Sequence, residues 1–369
     1  MNKKKLLTLL VAGLMMFSSV NVIAANSSNN TNTLDIERTA IEAIDNSISL
    51  KSYKKRTENA QKQYSDIKAA ANRALSMGLS NMVELIIYTP VDAENMLNQF
   101  ITSEEVSTNT VRNDAYSKYV NLLKSNYSVN IQNELNMSLK KDNEKAQVQL
   151  ANGLISQTDA RLMEINYFKS NHQLDSFNRN LDSAYMAINF IMGEDVSKRY
   201  NTLADDNIVP SMEIKSLDEY TNSALANRGE IVNAQNALDA KKEKFTYQKA
   251  TYHTDYDNYI KKLEYEIDRA ESDLDEAKIG VQLEIVNAYK ALEQAMKAME
   301  TQQANYDLAK SDYEAAKVRY DNNMITQSQL QNAQIAKTQA EINLKNSQLD
   351  TWLLQKKMDN ACGIGPGLK

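Results

Sequence analysis

Residues 284–331 read "EIVNAYKALEQAMKAMETQQANYDLAKSDYEAAKVRYDNNMITQSQLQ", and this stretch decides the fold. Ile285, Leu292, Met299, Tyr306, Tyr313 and Tyr320 recur every seven residues. Ala288, Ala295, Ala309 and Ala316 follow three positions later, and only Gln302 breaks the pattern. Large residues beside small ones at that period form the seam of a closely packed coiled coil. The helical text stops at Asn322-Asn323 and resumes at once, with Ile335, Ile342 and Leu349 keeping the period.

A second stretch, "ANGLISQTDARL" (151–162), breaks in the same way. After it, Tyr167, Leu174, Leu181 and Ile188 repeat on one face, and Phe177, Ala184 and Ile191 on another. Two such faces predict a helix with neighbours on both sides, as in a curved wall. Gly153 aligns with Asn323 and Gly193 with Gly363, both at an offset of 170, and "TLDIERTA" (33–40) resembles "SLDEYTNS" (216–223). The chain therefore reads as an internal duplication: a first hairpin unit over 26–193, a linker over 194–215, a second unit over 216–363 and a tail over 364–369.

In the second unit, helices from Leu217 to about Gln248 and from about Ser328 to Cys362 flank one from about Tyr256 to Tyr320. The outer two together match the middle one, whose 65 or so residues span roughly 95 Å. The fold class is all-α, with long antiparallel coiled-coil hairpins in two tandem pseudo-repeats and little or no β-barrel. Thr89 with Pro90 suits the start of the long helix in the first unit, and residues 104–112 weaken that helix. Ser216 with Glu219 has capping-box spacing.

Residues 1–25 carry Lys3, Lys4 and Lys5, then an apolar run ending in Val22-Ile23-Ala24. This is the pattern of a cleaved signal peptide, so the mature chain is expected in the cell envelope. Without it, 39 basic residues face 48 acidic ones and the net charge moves from −6 to −9, which argues against nucleic acid as a partner. Cys362 is the single cysteine, which excludes an internal disulfide, a CxxC metal knuckle and a lipidated N-terminal cysteine.

The repeated short-long-short hairpin, with breaks "NGLISQTDARL" and "NNMITQSQLQNAQ", resembles the TolC or outer membrane efflux protein family. The resemblance covers most of the mature chain and is strongest over 281–363. It implies a homotrimer closing a helical tunnel. The apices, Gly153, Leu154, Ile155 and Ser156 in one copy and Asn323, Met324, Ile325 and Thr326 in the other, would reverse the chain and dock onto a membrane-fusion adaptor served by an inner-membrane pump. Asn323 replaces the family's second glycine, and Asn tolerates positive φ better than most residues. Asp159, Gln329 and Asn332 would stand at the tunnel entrance, where amides in place of carboxylates weaken the case for a charged gate.

The family inserts two membrane strands per copy, each needing about 9 to 11 residues plus turns. Residues 78–89 and "KATYHTDYDNY" (249–259) are too short for a pair. The ends away from the tips are expected to be polar turns, through Asn81, Asp92, Glu94, His253, Asp255 and Asp257, so that membranes are touched only through partners.

No catalytic constellation stands out, and neither a cofactor nor a metal is implied. His172 and His253 lack an HExxH companion. "CGIGPG" (362–367) follows a helix instead of leading into one, so it reads as a C-cap and frayed tail. Asp205-Asp206-Asn207 reads as a solvated linker, and the methionines and tyrosines as packing. The competing functional class is a structural coiled-coil protein of the envelope, which has no need of apolar residues at exposed apices.

Overall fold

The computed structural model describes residues 33–250 and 254–365. Residues 1–25, read above as a signal peptide, and His253 lie outside them. Among the described residues, eight α-helices run in the order α1 (Ile36–Asn46), α2 (Ile48–Ser76), α3 (Thr89–Ala151), α4 (Gln157–Met192), α5 (Leu217–Asn227), α6 (Gly229–Gln248), α7 (Tyr256–Asp321) and α8 (Gln327–Ala361). The two long helices, of 63 and 66 residues, are each about 95–100 Å long at 1.5 Å per residue.

The helices pack side by side in one layer. Towards the tips the order of contact is α4, α3, α8, α7; towards the other end it is α2, α3, α6, α7. Both edges are open, one made by α4 with α1 and α2, the other by α7. The heptad seam of α7 is buried at Val281, Ile285, Leu292 and Met299 and half-buried at Tyr306, Tyr313 and Tyr320. Its partner is α8, which buries Ile342 and Leu349.

Strand content is slight. β1 (Thr33–Leu34) and β2 (Thr202–Leu203) pair in parallel, with Leu34 opposite Leu203. The Tyr119 hydroxyl, buried under this pair, lies 2.8 Å from the Leu34 carbonyl and 2.7 Å from that of Ala204. Around it Tyr116, Tyr119, Leu122 and Leu123 of α3, Ala184 and Ile188 of α4, and Trp352 of α8 form one core; α5, α6, α7 and the end of α8 share a second.

Several local expectations change. The helix expected from Leu217 to Gln248 is broken at Arg228, whose φ of −63° and ψ of 131° are extended, and α1 and α2 are broken alike at Ser47, at −64° and 115°. Each kink caps the returning helix: Asn46 Nδ2 donates to the Met192 carbonyl at 2.6 Å, and Arg228 Nη1 to that of Ala361 at 3.2 Å. These contacts bridge 146 and 133 residues, so no local signal foretells them. The first helix is capped by Asp35, which accepts from the Arg38 N–H, while Thr33 lies in β1. Ser216 and Glu219 do form the reciprocal capping box.

Thr89 is not an N-cap. A π-helical turn, Glu84–Tyr88, feeds directly into α3, and the Thr89 hydroxyl donates to the Glu84 carbonyl. Nor is α3 interrupted at 104–112. Thr108 and Thr110 donate back to the carbonyls four residues earlier, so their hydroxyls are satisfied inside the helix. The loop at 205–207 is packed as well as solvated, since Asp205 accepts from Tyr127 and Ile208 is buried. The tail is held at its start: the Ile364 carbonyl accepts from the Gly229 N–H at 3.0 Å and the Gly365 carbonyl from Asn109.

Candidate functional site: the paired hairpin tips

The two apices are built by the same hydrogen bonds. In the first, Asn152 ends α3 and its side chain donates to the Val148 carbonyl at 3.0 Å. Gly153 takes φ +68°, and the Leu154 N–H reaches back to the Gln149 carbonyl at 2.8 Å, closing the helix in the manner of a Schellman turn. In the second, Asn322 donates to Val318, Asn323 takes φ +59°, and the Met324 N–H reaches Arg319 at 2.8 Å. Asn323 is the only non-glycine with positive φ among the described residues.

The chain restarts at once because each return helix has a hydroxyl N-cap. Ser156 Oγ accepts from the Asp159 N–H at 3.0 Å and donates to the Asp159 carboxylate at 2.7 Å. Thr326 Oγ1 accepts from the Gln329 N–H at 3.3 Å, and Gln329 Oε1 accepts from the Thr326 N–H at 2.9 Å. A hydroxyl cap only five residues after the end of the previous helix, satisfying an orphan N–H of the next first turn, keeps each reversal short.

What the apices present is apolar. Leu154 is 72% and Met324 73% exposed, with Ile155 and Ile325 half-buried behind them. Asp159 and Gln329 are engaged in the N-caps, and Asn332 is exposed one turn up α8. The single chain does not bring these three into a common ring.

The link between the two stems escaped sequence reading. Gln331, fully buried, accepts from Asn166 Nδ2 on α4 and donates to Asp142 on α3, both at 3.1 Å. Its only signal is a polar residue, with Thr338, at a buried heptad position of α8. Asp142 lies nine residues before the end of α3, and Gln331 four after the start of α8. The first tip therefore reaches about five residues, roughly 7 Å, beyond the second.

The left-handed residues set opposite responses to substitution. Gly153→Ala should destabilise by about 1 kcal/mol, since a Cβ has open space there but the wrong φ. Asn323→Gly should be neutral or stabilising by a few tenths. Urea unfolding of both variants measures this.

No protein-family model and no curated protein matches the chain. Solved structures do. The channel protein CusC matches with a TM-score of 0.71 and 10% identity, over 89% of this chain and 92% of that one. The outer membrane channel CmeC of Campylobacter jejuni matches at 0.64 and 14%, over 89% and 86%. VceC, an outer membrane protein of Vibrio cholerae, matches at 0.64 and 12%, over 89% and 96%. At such identities the likeness is one of fold. The chain has the helical fold of TolC-like outer membrane channels.

Proposed function

We propose that this chain is an envelope export component: three copies close a helical conduit, and the paired tips dock onto a membrane-fusion adaptor that couples it to an inner-membrane pump. We read the two sets of four helices as duplicated hairpin units, entering the envelope behind a cleaved signal peptide. The observation that carries the reading is the pair of equivalent apices, each thrusting one large apolar side chain into solvent. A spacer would gain nothing from that exposure.

The open edges support closure. Exposed on α4 are Leu162, Phe168, Met186 and Phe190; exposed on α7 are Ile279, Leu283, Leu308 and Val318. Counted from the tips, Leu162 is 5 residues into α4 and Val318 is 3 from the end of α7, while Phe168 and Leu308 stand at 11 and 13. Allowing for the roughly 7 Å by which the first tip overreaches the second, both edges carry apolar residues within roughly 30 Å of the rim, and a heterologous head-to-tail contact that closes a ring joins one such edge to the other.

The adaptor claim is tested by capture of the adaptor encoded in the same genome, with wild-type protein and with Leu154→Asp/Met324→Asp. The double variant should bind at least tenfold more weakly, because docking would bury two unpaired carboxylates. Its helicity should be unchanged. Equal capture would favour an envelope scaffold without a transport role.

A further inference from the structure

Of the two polar turns expected opposite the tips, the α6–α7 turn does expose Asp255 and Asp257, whereas the α2–α3 turn has an apolar apex. Helix α2 closes with Gly78 at φ +74° and the Leu79 N–H on the Ala74 carbonyl at 3.0 Å. This turn leaves Leu75, Met77, Leu79 and Met82 exposed, joined by Met96 from the start of α3. Nothing stands within 4 Å of a Cβ built at Gly78, so the turn lies open. Asn81 is exposed within the turn and Glu94 on its flank, and Asp92 is engaged by Lys244 of α6.

That ion pair also places the α6–α7 end beside the turn, with Lys244 over the Tyr88 ring and Tyr247 and Tyr256 exposed nearby. From Ala74 to Val91 the sequence holds one charge, Glu84. Over residues 62–96 and 241–266 together, nine basic residues meet nine acidic ones. The whole net charge of −9 over residues 26–369 therefore resides elsewhere in the molecule.

We propose that this end is an interfacial membrane anchor, in which Leu75, Met77, Leu79 and Met82 enter the acyl layer of a bilayer surface while the tyrosines, with Lys68 and Lys249, lie among the headgroups. Three observations favour lipid over a protein partner. The apex is made of exposed, flexible Leu and Met side chains, which suit a fluid phase. Tyrosine and lysine behind an uncharged apex match the polarity profile of a membrane interface. The neutral end can approach an anionic leaflet that repels the acidic remainder. Four side chains make a weak anchor on their own. In the trimer proposed above, three anchors on one rim would act together.

The test is flotation of the full mature protein, residues 26–369, with phosphatidylcholine vesicles. Wild-type protein should float with the vesicles at low and high salt alike. Met77→Asp/Leu79→Asp should lower the bound fraction at least tenfold with an unchanged circular dichroism spectrum, and Leu154→Asp/Met324→Asp should float like wild type. Wild-type protein remaining with the unbound fraction, or an apex variant that floats equally, would overturn the anchor. So would apex-dependent doubling of the mass without flotation, which would assign the turn to a second copy. Flotation of a monomeric preparation would uphold the anchor while counting against the trimer, so the two readings fail separately.

Discussion

Replacing Arg228 by Ala should destabilise the protein by about 2–4 kcal/mol, the largest effect expected of any single side chain outside the tyrosine core. The guanidinium is fully buried at the extended kink between α5 and α6. It donates to Glu230 at 2.6 and 3.0 Å, to Glu284 at 2.7 Å and to the Ala361 carbonyl at 3.2 Å. Truncation removes the packed side chain and leaves that carbonyl unpaired. The two glutamates reach water and can rehydrate, which keeps the figure below that of a fully buried pair.

The same cluster carries a pH dependence. Burial by itself would raise the Glu230 carboxyl, but the hydrogen bond and charge of Arg228, with a backbone N–H, take it below the usual carboxylate range. A carboxylate depressed in the folded state contributes stability above its unfolded value, and the contribution is lost as pH falls through the folded one. The gap between wild type and Arg228→Ala should accordingly be full near neutrality and shrink in acid below about pH 4. Arg228→Lys should not restore it, because an ammonium cannot fork between two carboxylates and a carbonyl. Lys242→Ala, which breaks an exposed pair with Glu271, should stay within about 0.5 kcal/mol. Urea unfolding across pH 3–8 measures all three.

The second large effect concerns assembly. Phe168 and Phe190 stand exposed on the α4 edge, and Leu308 and Ile279 on the α7 edge. Phe168→Asp/Phe190→Asp on one edge, or Ile279→Asp/Leu308→Asp on the other, should convert the assembled protein to monomer. The mass by analytical ultracentrifugation should fall threefold with helicity retained, since these side chains contribute little to the chain's own core. Mixing the two variants should restore no closed ring, because every heterologous contact pairs one edge with the other.

How much of this could be read from sequence depended on how local the cause was. The long helix from about Tyr256 to Tyr320 emerged as Tyr256–Asp321, because a seven-residue seam over nine turns leaves no other reading. The tips were legible for the same reason: a left-handed residue, an apolar one and a hydroxyl N-cap all fall within five positions. The kinks at Ser47 and Arg228 were not, because the partners that fix them arrive more than 130 residues later. Gly229 was the one trace, since a Cβ there would come within 2.3 Å of Thr102 Cγ2. At the far end Asn81, Asp92 and Glu94 suggested a polar turn. The fold instead sets Asp92 and Glu94 on the flank in α3 and surrounds Asn81 with exposed Met77, Leu79 and Met82 at the apex, a distinction that residue counts do not carry.

The central claim is a closed three-fold conduit, and direct imaging of the mature protein tests it most sharply. Cryo-electron microscopy of residues 26–369, prepared with and without phosphatidylcholine nanodiscs, should show a hollow cylinder of three chains, on the order of 100 Å long, with alternating apices at one rim that differ in height by roughly 7 Å. Monomers, or rod-like dimers with no lumen, under both conditions at micromolar concentration would contradict it.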